Sequence, residues 1–135
     1  MYEFTEDCLV HIDAIDEEHR RLFQMLNEAI TLSQDAADVK PVANNLLASL
    51  KDYAATHFAH EEAYMESIHD PELSLQKAEH AAFTTKMNEF QLDTTSPETA
   101  KASFQGLLAY LVRWLYHHIL SSDMMIGKMQ KEDPF

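Results

Sequence analysis

The sequence predicts an all-α protein, an antiparallel up-down-up-down four-helix bundle with an extended N-terminal arm. Three observations carry that expectation. The 135 residues include only two Gly and four Pro, so little interrupts a helix. Four stretches place apolar side chains at threes and fours, the spacing that gathers them on one helical face. The polar breaks between these stretches are short, and short connections allow only antiparallel neighbours.

Residues 1–12 carry Phe4, Leu9, Val10 and Ile12 without helical periodicity and read as an arm laid across the core. A first helix follows, with Asp13 or Asp16 as cap and with Asp16, Glu17 and Glu18 near its positive end. Its stripe is Ile15, His19, Leu22, Phe23, Leu26 and Ile30, so a histidine sits among buried positions. Pro41 suits the first turn of a second helix, whose stripe is Val42, Leu46, Leu50, Tyr53, His57, Glu61, Tyr64 and Ile68. That helix is expected to stop at His69, with Asp70 as cap and Pro71 as first residue of a third helix. The third stripe is Leu73, Gln76, His80, Phe83, Met87 and Phe90. Ser96 and Pro97 open a fourth helix carrying Phe104, Leu107, Leu108, Leu111, Trp114, Leu115 and His118 and running past Asp123. The length fits one domain, 1–135, with the bundle over 13–126 and residues 127–135 as a tail or the start of a linker.

The formal net charge is −13, from 23 acidic and 10 basic residues, and such a surface repels phosphate backbones and anionic lipid heads. Neither nucleic acid nor membrane is an expected partner. No run approaches the roughly 18 apolar residues of a membrane span, and the acidic start lacks the features of a signal peptide. A cytoplasmic protein is expected. The single Cys8 cannot form an internal disulfide and reads as a small buried apolar residue.

Eight histidines call for an explanation. His57 and Glu61 stand four apart and share the inner face of helix two. An inward carboxylate is costly unless a cation or donor meets it. In an up-down bundle, His19, His57 with Glu61, His80, and His118 with Asp123 all fall at the same end. One histidine on an apolar face is more often a hydrogen-bonded core residue than a ligand. Four at matched depth, each on its own helix, with two carboxylates, would leave a dry core with many polar groups to satisfy, each costing on the order of 1–3 kcal/mol if unmet. Metal binding resolves this, in the way bundles build carboxylate-bridged di-metal sites. Imidazole with carboxylate suits iron, manganese or zinc, and the lack of cysteine ligands argues against structural zinc or iron–sulfur. His118 and Asp123 are five apart, about 140° on a regular α-helix, so a local π-type turn is expected there.

The pattern from Val10 through Asp16 to His19, then His57-x-x-x-Glu61, then Gln76-Lys-Ala-Glu79-His80-Ala-Ala-Phe83, then Trp114-Leu-Tyr-His-His118-Ile119 to Asp123, closely resembles the bacterial hemerythrin domain. The resemblance spans nearly the whole chain. It implies a non-heme centre of two iron ions, oxo- or hydroxo-bridged, that binds O2. Glu61 and Asp123 would bridge the irons, His19 and His57 would hold one, and His80 and His118 the other. The family usually has a histidine where this chain has Gln76. Gln76 can coordinate through its amide oxygen, hold a bound water or face away; the expectation is a water or other exogenous ligand at that position. Phe4, His11 and Glu18 stand where the family commonly has Trp, Gly and Gln. His11, His60 and His117 are read as lying on the surface or behind the ligands.

Phe58, Trp114, Leu115 and Ile119 are candidate walls of an O2 pocket, with ordinary core as their other reading. The extra open position makes oxidation less reversible. The expected function is therefore an O2 or redox sensor rather than an enzyme, with O2 or other small exogenous ligands as partners. The segment Lys131-Glu-Asp-Pro-Phe135 would lead to a C-terminal signalling output domain in a longer protein. A free O2 carrier or store and a small di-iron oxidase or peroxidase are the alternatives.

Overall fold

The computed structural model describes residues 3–123, with side chains through Leu120. Four helices, α1 (Asp13–Asp35), α2 (Lys40–Ser67), α3 (Leu73–Glu89) and α4 (Pro97–His117), pack as a bundle, and α4 continues into a π-helix, His118–Asp123. No strand occurs among the described residues. Helix α1 packs on α2 and on α4, and α2 packs on α3. Residues 124–135, where the bundle end and tail are expected, and the Asp123 side chain lie outside the described residues.

The helix starts follow local chemistry. Ser96 accepts a hydrogen bond from Thr99 N at 3.1 Å, with Pro97 in the first turn behind it. Pro41 lies in the first turn of α2, where its missing N–H costs nothing. Two expected caps act otherwise. Helix α1 begins at Asp13 behind Ile12 with no side-chain cap. The Asp16 carboxylate instead turns back and accepts from Val10 N at 2.8 Å and His11 N at 3.0 Å. Pro71 precedes α3 rather than opening it, because Asp70 Oδ1 accepts from Glu72 N at 2.9 Å and holds a turn that delays the helix to Leu73.

Residues 3–12 hold one 3₁₀ turn, Glu6–Cys8, which packs against the π-helix. Cys8 and Val10 are buried, and Phe4 meets Phe23 edge-on at 5.7 Å. Tyr116 of α4 donates to the Glu3 carbonyl at 2.9 Å.

The core is aliphatic and aromatic, with Leu22, Leu26, Leu50, Phe83, Met87, Phe104 and Leu111 all buried. On α2 the buried stripe runs Ala43, Leu46, Leu50, Ala54, His57, Phe58, Glu61 and Met65, whereas Tyr53, Tyr64 and Ile68 are only half-buried.

Candidate metal centre

Polar groups concentrate at one end of this core. His19 is 0% exposed, His57 1%, His80 3%, His118 2% and Glu61 0%. Among the described residues no lysine or arginine is buried, so no fixed cation accompanies this carboxylate into the core. The five side chains form two groups that share Glu61. His19, His57 and Glu61 make one, and Glu61, His80 and His118 the other, with the donor atoms of each group within 4.8 Å of one another. Glu61 Oε1 contacts His57 Nε2 and lies 3.7 Å from His19 Nε2, while Oε2 lies 3.8 Å from His118 Nε2. One carboxylate thus faces both groups, one oxygen toward each.

The far side of three imidazoles decides which nitrogen faces inward. His57 Nδ1 lies 3.0 Å from Glu18 Oε1, His80 Nδ1 lies 2.9 Å from Glu62 Oε2, and His118 Nδ1 lies 3.1 Å from Glu79 Oε2. An ionised carboxylate only accepts, so each Nδ1 donates and each Nε2 turns a lone pair to the interior. His80 Nε2 and His118 Nε2 consequently meet at 3.2 Å, acceptor against acceptor. That geometry requires a cation, a proton on one ring or a metal ion between them. The donor set of imidazole nitrogens around a shared carboxylate fits iron, manganese or zinc.

These three carboxylates are the residues that ligand-centred reasoning from the sequence passes over. Glu18 precedes His19, Glu62 follows Glu61 and Glu79 precedes His80. One residue along a helix is about 100° around it, so each points from the inner face toward the next helix and meets that helix's histidine. A carboxylate next to His19, Glu61 and His80 in the sequence was the available signal. Glu18 also receives the exposed His60, whose Nδ1 lies 2.5 Å from Oε2. Burial pushes the Glu18 carboxyl up, but the hydrogen bonds from His57 and His60, with the charge either ring carries when protonated, outweigh it and hold its pKa below the ordinary 4.5.

Aromatic rings fix the remaining imidazole faces. Phe58 stacks on His80 with centroids 3.9 Å apart and planes 6° apart, and Trp114 stacks on His118 at 4.6 Å and 16°. Phe58, Trp114 and Leu115 line an apolar cavity; Ile119 is buried but does not line it. Gln76 is buried at 2% exposure on the inner face of α3, one turn before His80. His11 and His117 are exposed. His118–Asp123 is a π-helix, as the five-residue spacing predicts, with Asp123 at its last position.

Two buried imidazole clusters joined by one glutamate, at one end of a four-helix bundle, define a protein built to hold metal ions between its helices. Residues 10–129 match the model of the hemerythrin HHE cation binding domain, and the chain belongs to that family. It is 32% identical over 125 residues to the bacteriohemerythrin of Clostridium acetobutylicum, covering 91% of this chain and 96% of that one. It is 32% identical over 131 residues to the bacteriohemerythrin of Stenotrophomonas maltophilia, covering 95% and 80%. Myohemerythrin-1 of Phascolopsis gouldii is 29% identical over 122 residues, covering 90% and 88%. The family binds a di-iron centre, and the two clusters around Glu61 fit such a pair. No described helix is long and apolar enough to cross a membrane.

Proposed function

We propose that this chain is a non-heme di-iron O2-binding domain that acts as an O2 or redox sensor, with a site more open than is usual in its family. The observation that carries the reading is Gln76. It occupies a buried position on the inner face of α3, one turn from His80, and it brings an amide where an imidazole would be the stronger ligand. His19 and His57 would hold one iron, His80 and His118 the other, with Glu61 and Asp123 between them. Water or another small exogenous ligand would complete the shell beside Gln76.

Two ferrous ions supply reducing equivalents to O2 when the centre is loaded. The chain itself does the rest. Glu18, Glu62 and Glu79 keep Nδ1 protonated and raise the basicity of Nε2, which favours the more highly charged ferric state. Phe58 and Trp114 cover the His80 and His118 rings and keep water from them. A site with apolar cover but an incomplete ligand set binds O2 and oxidises readily, which suits a sensor better than a store. Its output would be a partner or a further domain that reads movement of α3 and α4.

Stopped-flow mixing of the diferrous protein with O2 tests the proposal. Rapid conversion to the diferric state supports it. A long-lived oxygenated form makes the chain a carrier, and sustained turnover with a reductant makes it an oxidase or peroxidase.

A further inference from the structure

Three of the four histidines of the centre are backed by carboxylates, so the polar paths from these rings toward solvent end in negative charge at Glu18, Glu62 and Glu79. The aromatic paths differ. Phe58 and Trp114 lie nearly parallel to His80 and His118, but Phe58 is buried at 5% exposure whereas Trp114 is partly exposed. The Trp114 ring lies 4.6 Å from the His118 ring, centroid to centroid, and 5.8 Å from Phe58, which lies 3.9 Å from His80. One indole at the surface therefore touches one histidine of the Glu61–His80–His118 cluster and stands a single ring from the other. Electron tunnelling falls steeply with the width of the gap to be crossed, and packed rings keep that gap small.

The surface beside this indole carries positive charge. On α4, Tyr110, Arg113 and His117 lie within about 100° of Trp114, all to one side of it. Arg113 is exposed, and Lys86 of α3 places its ammonium 5.4 Å from the Tyr110 ring centroid. Two cations thus stand on the approach to Trp114 in a chain of net charge −13.

We propose that Trp114 is the port through which electrons enter the metal centre, and that the α3/α4 face around it docks a one-electron donor protein whose contact surface is acidic. Each transfer oxidises the donor by one electron and makes one ferric ion ferrous. Two transfers restore the diferrous pair and leave the indole unchanged. Opposite charge draws such a donor to Lys86 and Arg113, while the excess of negative charge elsewhere turns it away. The inference rests on the di-iron centre and not on whether the chain senses, stores or consumes O2.

Trp114 is the only tryptophan of the chain, so its emission reports docking without any metal. The probe is a plant-type [2Fe–2S] ferredoxin that is acidic and lacks tryptophan. Titrated into the metal-free chain at low salt, it should quench that emission saturably, and Lys86→Glu with Arg113→Glu should abolish the quenching. Stopped-flow reduction of the iron-loaded diferric protein tests the port. The same charge reversal should slow reduction by the reduced ferredoxin and speed reduction by the methyl viologen radical cation, opposite responses that a merely damaged fold would not give. Trp114→Leu should slow both donors by about tenfold, the equivalent of about 1.4 kcal/mol, with iron content unchanged. Trp114→Phe, which keeps a ring on His118, should fall between leucine and the native chain. Native reduction rates in Trp114→Leu overturn the port. Quenching that survives the charge reversal, or a reversal that leaves both donors' rates unchanged, overturns the docking face. A chain that loads no iron would fail the di-iron reading on metal analysis, and the quenching titration would still decide the docking.

Discussion

Glu62→Ala should weaken one metal ion of the pair and spare the other. Glu62 reaches from α2 to His80 Nδ1 at 2.9 Å, and its side chain is 27% exposed. A carboxylate behind a ligand histidine is typically worth ten- to a hundredfold in metal affinity, or about 1.4–2.7 kcal/mol. Partial exposure places Glu62 at the lower end, near tenfold, because solvent screens the bond. In the metal-free protein the same change should cost less than about 1 kcal/mol, since a half-exposed hydrogen bond is lost and no buried charge is left behind. The His19–His57 cluster has its own carboxylate, Glu18, and should keep its affinity. Competition against a chelator should therefore turn biphasic, one metal leaving about tenfold earlier, and Glu62→Gln, which retains an accepting oxygen, should fall between alanine and the native chain. Equal weakening of both metals, or no weakening in the alanine variant, would refute the idea that Glu62 acts through His80.

Glu61→Ala should lose both metals, because its two oxygens face both clusters; retention of both on metal analysis would show that Glu61 joins nothing. Gln76→His should slow autoxidation and weaken azide binding by supplying an imidazole at that position, and unchanged kinetics would mean that Gln76 already closes the site. Glu18 gives a pH signature in the metal-free protein. Its folded pKa is depressed below 4.5, so its contribution to stability is complete above that value and is lost as pH falls through the folded pKa. Glu18→Gln should flatten the acid limb of a denaturation series there, and an identical limb would exclude Glu18 as its source.

Helix number, order and the breaks at Pro41 and Ser96–Pro97 were legible because caps and prolines act locally, and the inner-face histidines because a 3.6-residue period places them without reference to other helices. Asp16 was not. As an acidic residue near a helix start it reads as a cap, and only the folded chain brings Val10 and His11 N–H groups to it. The start of α3 slipped for a similar reason, since Asp70 can either cap a helix or hold a turn and the choice is made by the chain around it. Glu18, Glu62 and Glu79 were marked in the sequence only by standing beside His19, Glu61 and His80, because their partners lie on other helices. On sequence alone each is one more charge in a chain of net −13.

The π-helix is where the proposed sensor would couple its metal centre to the rest of the fold. Widening the last turn from His118 to Asp123 brings the two positions toward one face, at the expense of regular α-helical hydrogen bonding. A π turn is a less regular winding than the α-helix it continues, and in the proposed sensor a ligand change at His118 would act on it first. The 3₁₀ turn Glu6–Cys8 lies against it, and residues 3–12 are tied to α1 through Asp16 and to α4 through Tyr116. Releasing the α4 tie with Tyr116→Phe should therefore raise amide exchange in residues 3–12 and in the π-helix together, while metal content stays at the native level. Faster exchange in residues 3–12 alone would mean that the turn merely rests on the π-helix, and that the proposed sensor would need another route out of the bundle.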